Sequence, residues 1–145
     1  MPKTNGVDWT PKELLDYFRL NINSLLNSNI AAFYPYNYAG VNDTQLWQSA
    51  DPTSALVHLN FIEIPDDGSV VVSQYTSTPT SAQMIVSTVR TPYDSRHPIT
   101  GTRVFGVMPD PNYPGGFIFY TSAVDRVASG FFSFLNDAAV LCTIT

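Results

Sequence analysis

His97 follows Asp94 by three residues and Arg96 by one, and Arg103 comes six residues later. An imidazole exchanges a proton near neutral pH, a carboxylate can orient it, and a guanidinium holds developing negative charge. Those types together are the minimum for a general base with an anion clamp. A second group follows at Tyr120, Asp125 and Arg126. Both groups lie in residues 89–126, which hold four of the five arginines, one of the two histidines, five of the eleven prolines and four of the eight glycines. Cationic chemistry is therefore gathered beside turns, where rigid scaffolds commonly carry their binding residues. Each group also has a plainer reading. Asp94 can cap its turn and pair with an arginine while His97 packs beside Pro98. Residues 120–126 can be a strand-to-helix junction, with Asp125 favoured by the helix N-terminus.

Other chemistries find less support. His58 sits on the polar side of an apolar strand and reads as a hydrogen-bonded structural residue before it reads as a base. Two distant histidines, two glutamates and one cysteine make no metal-ligand cluster, and no cofactor is expected. The chain has no glycine-rich phosphate loop and no Gly-x-Ser-x-Gly elbow. Cys142 stands in an apolar run, which suits a buried, inert thiol. Asn42-Asp43-Thr44 matches the N-glycosylation acceptor pattern, which is too short to be informative alone. The aromatic cluster at residues 33–38 would plug one end of a sheet, or stack on sugar rings if exposed.

Composition narrows the partners. Of 145 residues only 13% are charged, about half the usual share, and 13 serines with 14 threonines supply polarity instead. The net charge of −5 argues against binding to a nucleic-acid backbone or to an anionic membrane surface. No apolar run is long enough for a membrane span. The first residues lack the apolar core of a secretory signal, so the expected location is cytoplasmic, or outside by a signal-independent route.

The elements that must position these residues follow from periodicity. Residues 1–9 read as a lead-in. Thr10, Pro11 and Glu13 form a capping box at a helix start, and Leu15, Phe18, Ile22, Leu25 and Leu26 give that helix an apolar face ending near Asn27. Residues 31–54 read as irregular, with a helical turn at residues 43–47. Five strands are expected at residues 55–61, 69–76, 83–91, 102–108 and 117–121, joined by turns rich in Pro, Gly and Asp. From about Ala123 the spacing of Val127, Phe131, Phe134 and Leu135 predicts a closing helix. The fold class is therefore α+β: one domain over residues 1–145, an antiparallel meander of about five strands covered by an N-terminal and a C-terminal helix.

The residues His97-Pro98, Gly101, Arg103, Phe105-Gly106 and then Gly116, Phe119-Tyr120-Thr121 and Asp125-Arg126 resemble a group of uncharacterised bacterial proteins. Their pattern reads HPxxGxRxFG, a short turn, then GxxxFYTRGxDR. Similar segments occur as small proteins and near the ends of large toxin-like or secretion-associated chains. The resemblance covers about 40 residues well and residues 43–64 weakly. It brings no mechanism with it. Ser122-Ala123 stand here where Arg-Gly is usual, so a ligand held by that arginine would be lost.

The leading expectation is a small binding or interaction module of a bacterial secretion or toxin-associated system. Its site would be the loop end carrying Asp94, Arg96, His97, Arg103, Tyr120, Asp125 and Arg126, taking a protein partner or a small polar or anionic ligand. The alternatives are an effector enzyme, hydrolase or transferase-like, with His97 as base and Arg103 as anion clamp, and a carrier of a small apolar ligand such as a lipid.

Overall fold

The computed structural model describes residues 8–26, 30–62, 67–95 and 97–127. Helix α1 (Pro11–Leu20) starts at the capping box. The Thr10 hydroxyl accepts from the Glu13 N–H at 3.2 Å, and the Glu13 carboxylate accepts from the Thr10 N–H at 2.9 Å. Pro11 fills the first helical position, where no backbone donor is needed. The single turn α2 (Ile22–Leu25) continues the apolar stripe. Then come β1 (Ala31–Pro35), β2 (Asn37–Tyr38), β3 (Val41–Asn42), α3 (Thr44–Gln48), β4 (Leu56–Phe61), β5 (Gly68–Ser77), β6 (Ala82–Val89), β7 (Ile99–Pro109) and β8 (Phe117–Val127).

The protein is mostly antiparallel sheet with a few short helices. Strands β4 to β8 form the expected meander, and β1 adds a sixth strand outside β4. The sequence reading leaves residues 31–54 irregular, and a proline at position 35 would ordinarily argue against a strand. At a sheet edge that argument lapses, since the missing N–H can face away from the ladder. The small β2–β3 hairpin stands apart from the main sheet.

Alternation divides the sheet into two faces. On one, Val57, Leu59, Phe61, Val70, Val72, Met84, Val86, Phe105 and Val107 meet Leu15, Phe18 and Ile22 of the first helices. Phe18 lies 4.2 Å from the Phe119 ring centroid and 5.3 Å from that of Phe105. Full burial of such side chains contributes about 1.5–3 kcal/mol each, so this helix face is the main store of stability. The register of β5 against β6 shifts between Val72 and Gln74, and the intervening Ser73 bends the strand.

The closing helix is corrected at its start. Residues 123–127 continue β8, paired residue for residue with β7 as far as Val127 opposite Ile99. Continuing the ladder pairs the backbone groups of residues 123–127 with β7, which a helix beginning at Ala123 would forgo. Asp125 is therefore a strand residue, opposite Gly101, and not part of the first turn of a helix. Phe131, Phe134, Leu135 and Cys142 lie outside the described residues, as do Asn27 and residues 63–66.

Candidate functional site

The face turned away from α1 starts with residues opposite one another across four strands: Tyr34, His58, Ser69 and Val89. The segment after β6 folds over this row and brings Asp94 onto it. His58 Nδ1 lies 2.8 Å from Asp94 Oδ2, and the Ser69 hydroxyl donates to the same oxygen. Ser69 has spent its only proton there, so the Thr91 hydroxyl, 3.2 Å away, donates to Ser69 Oγ. Thr91 Oγ1 in turn accepts from the Asp94 N–H at 2.9 Å, and the Thr91 N–H reaches the Asp94 carbonyl at 3.1 Å. His58 Nε2 faces Asp67 Oδ2 at 3.4 Å, and Asp67 Oδ1 accepts from the Phe61 N–H. His58, Ser69, Thr91 and Asp94 are all buried.

Aromatic rings close this cluster. Tyr38 and Tyr93 stack with centroids 3.7 Å apart and planes 2° apart, and both present edges to the His58 ring. Tyr36 is fully buried, and its hydroxyl accepts from the Tyr93 N–H at 3.4 Å. Burial, with the charges of Asp94 and Asp67 nearby, pushes the Tyr38 hydroxyl above its usual pKa. Tyr34, by contrast, is exposed. Of the aromatic run at residues 33–38, Tyr36 and Tyr38 thus cover the cluster around His58.

A second, partly buried polar cluster lies beside α1. Asp16 accepts from Lys12, Arg19 and the Tyr75 hydroxyl, each at 2.7 Å. Burial alone would raise the Asp16 pKa, but the three hydrogen bonds outweigh it and hold the carboxylate below its usual range. The Tyr75 hydroxyl is pushed up by burial and by that carboxylate. Arg19, only 1% exposed, also donates to the Ser49 carbonyl and lies between the rings of Trp47 and Tyr75. Sequence reasoning passed over this arginine. The signal is its place on the helix, four residues after Leu15 and three before Ile22, within the apolar stripe.

The residues expected to converge do so in part. Asp94 joins His58 and Ser69. His97 is half-buried, with its ring edge-on to Phe61, and its Nδ1 accepts from the Ile99 N–H at 3.1 Å. A methyl group on Gly68 would overlap the His97 ring, so glycine is needed there for close approach. Burial lowers the His97 pKa, and the charges of Asp94 and Asp125 partly counter it. Arg103 pairs with Asp125 at 3.3 Å on the exposed surface. Arg103 and Arg126 do not meet. Arg103 stands opposite Ala123 and Arg126 opposite Thr100, so alternation sends their side chains to opposite faces of the β7–β8 ladder. Arg96 lies outside the described residues.

What these clusters can do chemically is limited by their closure. A serine, a histidine and an aspartate are in contact, but the hydroxyl bonds the carboxylate, not the imidazole, and both ring nitrogens already face carboxylates. A nucleophile needs its base within hydrogen-bond reach and its own oxygen accessible. Among the described residues no three ligating side chains gather as a metal site. No helix among them is long and apolar enough to cross a membrane.

The region of the sheet that no described residue covers is different. On the face away from α1, strands β6 to β8 carry Gln83, Ile85, Ser87, Thr102, Val104, Met108, Ile118, Tyr120, Ser122 and Val124. The described helix that packs on β6 and β7 is α1, on the opposite face. Ser73, Ser87 and Thr102 link their hydroxyls in a row, at 3.1 and 3.2 Å. The Tyr120 ring lies across Gly106, where any Cβ would overlap it. Met108 and Val124 are exposed, Val124 by 82%. Arg126, at the far end, is the only charged residue among the strand positions of this open face.

Searches of protein-family models, curated proteins and solved structures return no match to this chain.

Proposed function

We propose that this chain is a non-catalytic protein-interaction module whose recognition surface is the open face of β6 to β8. The observation that carries this reading is the contrast in cover. The polar groups around His58 and Asp94 are buried and mainly bonded to one another, whereas a nearly charge-free face with Ile85, Val104, Met108, Ile118, Tyr120 and Val124 is covered by none of the described residues. Interface centres are poor in charged residues and rich in aromatic side chains and methionine. A partner that fits is a protein surface of uncharged, largely apolar character rimmed by hydrogen-bonding groups, which the row Ser73, Ser87 and Thr102 would meet. A role in a secretion or toxin-associated assembly belongs to the same proposal and rests on the sequence resemblance alone.

The test is a photo-crosslinking side chain at position 104, with the same group at exposed Asn60 as control, in cells that express the protein. A defined adduct is expected from position 104, lost when Ile85→Lys puts a charge in the middle of the face, and retained in His97→Ala. Equal labelling from positions 104 and 60 would overturn the reading. Loss of the adduct in His97→Ala with the fold intact would return the site to the loop end.

A further inference from the structure

The sheet has two edges, and they are finished differently. The β1 edge is short and guarded. The side-chain amide of Asn23 donates to the Phe33 carbonyl at 2.8 Å and accepts from the Phe33 N–H at 2.8 Å, replacing a strand. Pro35, two residues on, has no N–H to offer. Among the described residues the β8 edge has neither device. It is 11 residues long, matches β7 at every position without a bulge, and contains no proline or lysine. Long, regular, sparsely charged edges accept a further strand unless something blocks them.

The backbone direction of that edge is readable. The Gly101 N–H donates to Thr88 Oγ1 at 3.1 Å, on the β6 side. Gly101 stands opposite Asp125. In an antiparallel pair the groups of alternate residues point to alternate sides. The N–H and C=O groups of Phe117, Phe119, Thr121, Ala123 and Asp125 therefore turn outward, away from β7.

We propose that this edge pairs with the same edge of a second copy of the chain, antiparallel and two-fold about Ser122. Ser122 is the midpoint of Phe117–Val127, so this register uses the whole strand. It sets Val124, the most exposed of the large apolar side chains among the described residues, opposite Tyr120 of the second copy, and aromatic with β-branched is a favourable cross-strand pair. Asp125 falls opposite Phe119 and Arg126 opposite Ile118, so no like charges meet. Because the β1 edge is guarded, copies join only β8 to β8. A contact of one edge with itself closes as a dimer and does not grow into a filament. The pairing goes beyond the open-face reading and does not depend on it; it would lay two open faces side by side.

The register is tested by Ser122→Cys in a Cys142→Ser background. Directly opposed residues outside the hydrogen-bonded pairs have Cα atoms about 4.5 Å apart, within disulfide reach. Mild oxidation is expected to yield a covalent dimer from Ser122→Cys and little from Val124→Cys, whose opposite residue is Tyr120. Sedimentation equilibrium up to about 1 mM, a range suited to weak association, is expected to show mass rising above 16.0 kDa. Ala123→Pro removes an outward N–H without touching the β7 ladder, and Val124→Lys alters only an exposed side chain. Each is expected to weaken association at least about tenfold with the circular dichroism unchanged. Monomer mass throughout overturns the proposal, as does a dimer that Ser122→Cys does not lock or that neither variant weakens. The position-104 adduct is read separately, so either proposal can fail alone.

Discussion

The face of the sheet turned away from α1 is one surface treated in two ways. Over β1, β4 and β5 it is roofed by the segment after β6 and by Tyr36 and Tyr38, and its polar groups are knitted together through Asp94. Over β6 to β8 no described residue covers it. The difference shows where this protein spends its few charges. Asp94, Asp67 and His58 hold a roof in place, and the region that meets solvent is left to hydroxyls, amides and apolar side chains. A site built for proton transfer would reverse that arrangement, with titratable groups at the accessible end.

The largest effect should come from breaking the roofed half. In Asp94→Ala the His58 ring loses the carboxylate at Nδ1, the Ser69 hydroxyl loses its acceptor, and all of these groups stay buried. Leaving a buried polar group without its hydrogen-bond partner costs about 1–3 kcal/mol, and two are orphaned here. Urea unfolding should show a loss of that size, with amide protection falling first in β4, β5 and residues 91–95. A loss under about 1 kcal/mol, the range of exposed ion pairs, would mean that the roof is not held through Asp94.

How far this division is legible in the sequence depends on how each half is made. The meander is readable because β4 to β7 alternate apolar and polar residues, and because Pro, Gly and Asp punctuate the turns. The extent of β8 is not, because Ser122, Ala123 and Val124 suit a helix start as well as an open strand. His58 reads as the polar side of a half-buried strand, since its cover comes from residues 36–38 and 91–94, far away in the chain. Asp94 and His97 stand out by type and spacing, yet their partners Ser69, Thr91 and Gly68 have no signature of their own. Arg103 and Arg126 look convergent until the register is known. A register slip of one residue would put both on one face, and no local pattern decides between the two alternatives.

His97 sits at the margin of the roofed half and sharpens the comparison through pH. Burial holds its folded pKa below the ordinary value of 6.5. The unfolded chain then binds the proton more readily than the folded one, so stability rises with pH across the interval between the two values. The contribution is fully present above pH 6.5 and is lost as pH falls from there through the lowered value. His97→Gln should flatten the stability profile in that interval. It should leave the slope at lower pH, where Asp16 loses its bonds to Lys12, Tyr75 and Arg19 on protonation. An unchanged slope between neutral pH and the carboxylate range would show that His97 is solvated and does not belong to the roofed half.

The smallest effect should come from the bare half, and its smallness is informative. Val104 lies between Ile85 and Ser122 on the open face and is half-buried. Val104→Thr keeps the β-branched shape and adds a hydroxyl, which solvent can satisfy. Substitutions at surface positions free of such networks stay within about 0.5 kcal/mol. Chemical denaturation of Val104→Thr should therefore show no resolvable loss, while the crosslink to a partner through the same face should weaken. If stability instead falls by about 1–3 kcal/mol, the cost of burying a hydroxyl without a partner, then Val104 is covered in the folded protein. The open face would in that case be interior, and the contrast between the two halves would dissolve.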